Sequence, residues 1–299
     1  MGLFSRAPAV EVTVTPAEVT PREVVTATVT PTRPLDNVGS AFLEWGYTNF
    51  FRYHWAGRAD SAVAQASDSM WMTGNVGTNA GGDRDTEEWV GVTKVDLPVL
   101  DGEFRGGTST FRVPSWAPAS SPDIARWSCR VQFGERGADK HGEFAVRIGR
   151  DDVCAEAKPT EVLMGDAETV IEIELATSVF TAGEAIRGHI RLTPTIDLPD
   201  GDLAVCWQRH RESHPLTRTP SACGSIDGPV VKLGKRIPLR ARQVVAVPFE
   251  VPLPPDAAPT ASAVHSSINW FVQARLFYAG FNAHMVERVL RPIVVVNAP

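Results

Sequence analysis

Cysteine is scarce and scattered. Cys129, Cys154, Cys206 and Cys223 are the only four in 299 residues and no two form a CxxC pair, so neither a zinc ribbon nor a disulfide framework is indicated and reduced thiols are expected. Long apolar runs are missing as well. The longest candidates, such as 244–251, contain proline or charge and are strand-sized, against the ~18–20 residues that span a bilayer. The opening Met1-Gly2-Leu3-Phe4-Ser5-Arg6 breaks off after two apolar side chains, too few for the h-region of an export signal. Arg6 stands where a myristoylation site carries Ser or Thr. These features read as a cytoplasmic chain. Nor is there an excess of positive charge: 29 Lys and Arg against 35 Asp and Glu give −6, so nothing favours a nucleic-acid or anionic-membrane partner.

Helical periodicity is scarce, whereas Gly and Pro number 24 and 23 and apolar residues alternate with polar ones repeatedly, the mark of a β-rich protein. Val10-Glu11-Val12-Thr13-Val14 alternates, and so does Ile171-Glu172-Ile173-Glu174-Leu175, each with one face inward. Val19 to Val29 then matches Phe180 to Ile190 at the same offset of 161 residues. Phe111-Arg112-Val113-Pro114 and Ala117-Pro118 likewise match Phe249-Glu250-Val251-Pro252 and Ala258-Pro259, each followed by an aromatic-bearing strand around Trp127 or Trp270. Matched blocks in one order imply an internal duplication of one β-sandwich. The expected domains are 1–155 and 156–299, with a connector around 149–166 and extra length in the first copy at about 35–101. Asp60 is placed to cap one short helix using Ala62, Val63, Ala66 and Met70.

Motifs for catalysis are absent: there is no GxSxG, HExxH, P-loop or dinucleotide fingerprint. Cys206, His210, His214 and Cys223 have the only spacing that hints at metal. Residues 203–207 alternate as a strand, however, and on a strand i and i+4 lie roughly 13 Å apart, too far to share one ion. A strand cysteine and loop histidines are expected, with no metal and no cofactor. Asp83, Asp85, Glu87 and Glu88 lack an EF-hand frame and read as a solvated turn. Aromatics crowd into Phe42, Trp45, Tyr47, Phe50, Phe51, Tyr53 and Trp55. Trp45, Tyr47, Tyr53 and Trp55 fall on odd positions while Phe42 and Phe50 fall on even ones, so a hairpin here either buries one set and presents the other or packs both, against the sandwich and against the second domain. Trp45, Tyr47, Phe50, Tyr53 and Trp55 are therefore the candidate partner-binding residues.

Residues 179–190, with the Gly183-Glu184 turn and then alternation around Gly188, followed by Val247-Pro248-Phe249-Glu250-Val251-Pro252-Leu253-Pro254 and Ser267 to Ala274, resemble the arrestin superfamily. The resemblance is clearest over 171–296; the first half is looser, with Pro21-Arg22-Glu23 in place of the Gly-Glu turn. It implies an all-β fold of two tandem antiparallel immunoglobulin-like β-sandwiches, as in arrestins and bacterial sporulation-control proteins, with at most one short helix. It also implies a non-catalytic adaptor or scaffold that binds a protein partner in regulation or a trafficking-like assembly. Phosphate-sensing basic residues and a clathrin-binding tail have no match here. The rival expectations are a self-assembling structural protein, hence a homo-oligomer, and a carbohydrate-binding module using exposed Trp and Tyr.

Overall fold

The alternation becomes strand almost wherever it occurs. The computed structural model describes residues 10–55, 82–134, 136–153, 162–164, 168–213, 223–279 and 286–297, and β-strand dominates them, with a single 3-10 turn at Arg150–Asp152 among the described residues. The segment proposed for a helix after Asp60 lies outside the described residues. No helix among the described residues is long and apolar enough to cross a membrane. Two compact units form, one of Met1–Val146, Glu212–Cys223 and Ser262–Ser267, the other of Arg147–Arg211, Gly224–Ala261 and Ile268–Pro299.

The strands of the N-terminal half are β1 (Val10–Thr15), β2 (Glu18–Val19), β3 (Val24–Pro31), β4 (Ala41–Trp55), β5 (Gly82–Leu97), β6 (Gly107–Arg112), β7 (Ala125–Phe133) and β8 (Arg136–Val146). They form a small sheet in the order β1-β3-β6 and a larger one in the order β2-β8-β7-β4-β5. The remainder of the chain supplies β9 (Val162–Met164), β10 (Thr169–Leu175), β11 (Val179–Thr181), β12 (Ala185–Pro194), β13 (Leu198–Ser213), β14 (Cys223–Asp227), β15 (Val231–Leu239), β16 (Val245–Pro252), β17 (Ala261–Ser262), β18 (Ser266–Tyr278) and β19 (Val286–Val296). Here the small sheet is β10-β12-β16 and the larger runs β11-β19-β18-β13-β14, with β15 also on β13. The two small sheets and the main paths of the two larger ones correspond strand for strand, while the second half adds β9 on β19, β17 on β18 and β15 on β13. A parallel pairing recurs as well, β2 beside β8 and β11 beside β19.

Sheet period decides what is buried. In β3 the alternate residues Val25, Ala27 and Val29 are buried, and in β12 Ile186, Ile190 and Leu192 are, as a two-residue period requires of a sheet with one covered face. Trp45 of β4 stacks on Phe111 of β6 at 5.2 Å and donates its indole N–H to Ser109 Oγ at 3.2 Å, so the first unit's two sheets meet through these side chains. Trp207 and Trp270 fill the second unit at 5.2 Å, with Trp207 Nε1 donating to the Pro252 carbonyl of β16.

The matched turn recurs with one shift: Val113 N donates to the Glu23 carbonyl and Leu253 N to the Glu184 carbonyl, but the acceptor of the turn's own N–H lies one residue further along in the second copy. Arg22 N donates to the Val113 carbonyl at 2.8 Å, and Gly183 N donates to the Pro254 carbonyl at 2.9 Å. Glu23 and Glu184 each accept the backbone N–H three residues earlier, from Thr20 at 2.7 Å and Thr181 at 2.8 Å. This turn needs a left-handed residue: φ is 73° at Arg22 and 85° at Gly183. Only glycine adopts that region without steric cost. Gly183→Ala is therefore expected to destabilise the second unit by about 1–2 kcal/mol. Arg22→Gly should stabilise the first by about 0.5–1 kcal/mol, the relief of strain exceeding the entropy that glycine adds to the unfolded chain. Urea unfolding midpoints of the two variants, moving in opposite directions, check both.

Candidate functional site

The larger sheet of the first unit gathers the aromatic segment. The expected hairpin within 45–55 is instead one continuous strand, β4, paired with β7 on one side and β5 on the other. Position parity sorts its side chains. Trp45 and Tyr47 are 0% and 1% exposed, packed among Phe111, Trp127 and Phe144, so they are core residues and offer no surface to a partner. Phe50 lies half-buried on the opposite face. Tyr53 and Trp55 end the backbone of β4, and their side chains lie outside the described residues.

The outer face is built on cations laid over rings. Lys94 Nζ sits 3.2 Å above Phe42, the Arg130 guanidinium 3.8 Å above Trp89, and that of Arg126 5.3 Å from Phe50. Trp89, which follows the acidic run and was not singled out in the sequence, donates its indole N–H to Glu44 Oε2 at 3.0 Å. It lies flat because Gly46 is beneath it: a Cβ there would stand 2.8 Å from Trp89 Cζ2. Burial pulls the Arg130 guanidinium below its usual range, opposed by Glu44 and Glu87; it stays charged at neutral pH.

The carboxylates expected in a turn lie instead on β5. Fifteen residue pairs join β4 to β5 and carry Gly82 to Trp55; a strand partner outweighs the turn preference of isolated acidic residues. Asp85 pairs with Arg52 at 3.0 Å and Glu87 lies 3.9 Å from Arg126. Glu88 Oε2 stands 3.1 Å from Nε2 of the buried His265. Beside it, Asn49 is wholly buried, donating to the Ile124 carbonyl at 2.9 Å and Ser266 Oγ at 2.8 Å, and accepting from His265 N at 2.7 Å. A second aromatic missed in the sequence is Trp116, 60% exposed in the turn where Ala117 N donates to the Pro114 carbonyl; the prolines bracketing it were its signal.

In the second unit, residues 203–207 are strand, and β13 continues through His210, which is half-buried on the sheet and not in a loop. Its ring packs on Phe271 at 4.7 Å and its Nε2 shares a 2.7 Å hydrogen bond with Gln208 Oε1. Gln208 donates to Asp227 at 2.6 Å, and Arg275 bonds both Asp227 and Gln273. Burial alone would raise Asp227, but Gln208 and Arg275 outweigh it and hold the carboxyl below its ordinary range. His214 and the Cys223 side chain lie outside the described residues. Burial pushes the Cys206 thiol up and the Cys129 thiol up to about 11, the direction opposite to that of a thiolate nucleophile. A cleft of ≈ 480 Å³ beside Gly188 is lined by Glu174, Arg187, His189, Phe249 and Glu250, with Arg187 and Glu250 paired at 3.1 Å.

Comparison with protein-family models gives no match, and comparison with curated proteins gives none.

Burial separates two effects. Trp45→Ala should cost about 3–5 kcal/mol through the cavity it leaves, whereas Phe50→Ala should cost under about 1 kcal/mol; chemical unfolding followed by circular dichroism distinguishes them. The thiols give another test. In a Cys154→Ser/Cys223→Ser background, Cys129 should react with Ellman's reagent at least about a hundredfold more slowly in native protein than in denatured protein.

Proposed function

We propose that this chain is a non-catalytic, arrestin-like adaptor of two tandem immunoglobulin-like β-sandwiches, working in the cytoplasm, that holds a protein partner. The observation that carries this reading is the repetition: one strand order and one Glu-supported turn occur twice, which is what the arrestin resemblance implies. Non-catalytic action is supported, among the described residues, by the Cys129 and Cys206 thiols, displaced away from nucleophilic range, and by charged side chains engaged with one another in the Asp227–Arg275 network. The partner surface is assigned to the outer face of β4 and β5. There the half-buried Phe50 and Trp89 give rigid aromatic area and Arg130 and Glu44 give polar edges, a combination typical of protein contacts.

Affinity capture from native lysate tests this, comparing wild type with Phe50→Ala/Trp89→Ala and with Trp116→Ala, folding confirmed by circular dichroism. The expected outcome is a protein enriched by wild type and reduced at least tenfold by the double variant. Capture of nothing but the chain itself would overturn the adaptor reading in favour of self-assembly.

A further inference from the structure

The two halves share a turn and differ at its tip. Residues 111–120 and 251–260 have one burial pattern, position by position, and Ala117 N donates to the Pro114 carbonyl as Ala257 N does to that of Pro254, both at 3.1 Å. This sets Trp116 against Asp256. Both are exposed, so the turn itself has no use for an indole. Trp116 is nonetheless 60% exposed, the most exposed aromatic among the described residues. Pro114 and Pro118 bracket it and stiffen its backbone, so little freedom is lost when the ring is covered. Exposed, rigidly held tryptophans are what anchor protein contacts.

The second half carries a surface of complementary chemistry. The cleft of ≈ 480 Å³ beside Gly188 has the size of a built ligand site, about 300–1,000 Å³. Leu175, Ala176, Pro248 and Phe249 give it an apolar lining, and Arg187 and Glu250 give it a charged one. Gly188 shapes it: a Cβ there would stand 3.1 Å from the Phe249 ring and collide with the Glu174 carbonyl. An indole matches such a lining on three counts. Its faces suit Pro248 and Phe249, its N–H suits the Glu250 carboxylate, and its ring suits a guanidinium laid over it, as Arg130 lies over Trp89. Arg187 and Glu250 pair with each other at side-chain exposures of 70% and 57%, and an ion pair so exposed is cheap to exchange.

We infer that this cleft takes Trp116 of a second copy of the chain. The two surfaces differ, so each copy both gives a tryptophan and receives one. Copies joined in this way present the β4–β5 face more than once, so that weak partner contacts add.

Light scattering on the purified full chain tests this, from about 10 μM to about 1 mM, the range of a contact built on one anchor. Wild-type mass should rise above that of a single chain. Trp116→Ala, and Ala176→Arg at the exposed lip of the cleft, should each stay at the mass of one chain while their circular dichroism matches wild type. Mixed one to one, these two variants should form a species of twice the chain mass and no larger, because the tryptophan of one and the cleft of the other are all that remain to meet. Phe50→Ala/Trp89→Ala should associate as wild type does. A wild-type chain that stays single at 1 mM, association that survives either single variant, or a mixture that stays single or grows beyond two copies overturns the assignment. So does association lost in Phe50→Ala/Trp89→Ala, which places the contact on the β4–β5 face.

Discussion

The structure depends on a buried indole in each half that has to find an acceptor. Trp127 and Trp270 are almost wholly enclosed, and an enclosed indole N–H left unpaired costs about as much as a lost hydrogen bond. Both solve this alike. Trp127 donates to the Pro118 carbonyl at 2.8 Å and Trp270 to the Ala258 carbonyl at 2.9 Å, in each case to the loop that leaves the small sheet's last strand. One side chain of the larger sheet thus fixes the path of a loop from the smaller one. The loop is tied a second time: Ser120 N donates to the Val146 carbonyl at 2.8 Å and Thr260 N to the Val295 carbonyl at 2.7 Å, with each hydroxyl accepting in return from the same strand. Proline suits this loop because its carbonyls are the groups in use and its missing N–H is not needed.

Much of this was legible as pattern. Alternation marked β1 and β10, since a two-residue period survives in any sheet with one covered face; residues 203–207 are strand as read, but all five are buried, so their alternation does not sort two faces. The 161-residue offset aligned Arg22 with Gly183, and those two positions share the left-handed backbone. What stayed hidden was pairing. The acidic run at 83–88 reads locally as a turn, and only the long partner strand β4 makes it strand. Parity separated two aromatic sets but could not say which faced the core; that follows from Trp45 meeting Phe111 across the two sheets. Trp89 was invisible for the same reason. Its role rests on Gly46, Glu44 and Arg130, which neighbouring strands bring beneath, beside and above it.

The cation–ring contacts also explain how the outer face of a large sheet remains wet while carrying Phe42, Trp89 and Phe50. Each ring is shaded by the stem and charged head of a long side chain, which covers apolar surface while leaving its charge hydrated. Such contacts are worth only about 0.5–1 kcal/mol each, so they can be exchanged for others of similar strength. The core contacts of Trp45 and Tyr47 cannot be exchanged in this way, because any exposure opens a cavity. One strand therefore carries two kinds of aromatic residue: odd positions that hold the fold and even positions whose coverings are cheap to displace. In the second half the position that β5 holds beside β4 is divided between β14 and β15, with Pro229 between them and register shifts along the β13–β15 ladder, so the long strand pair that carries these exchangeable coverings belongs to the first half.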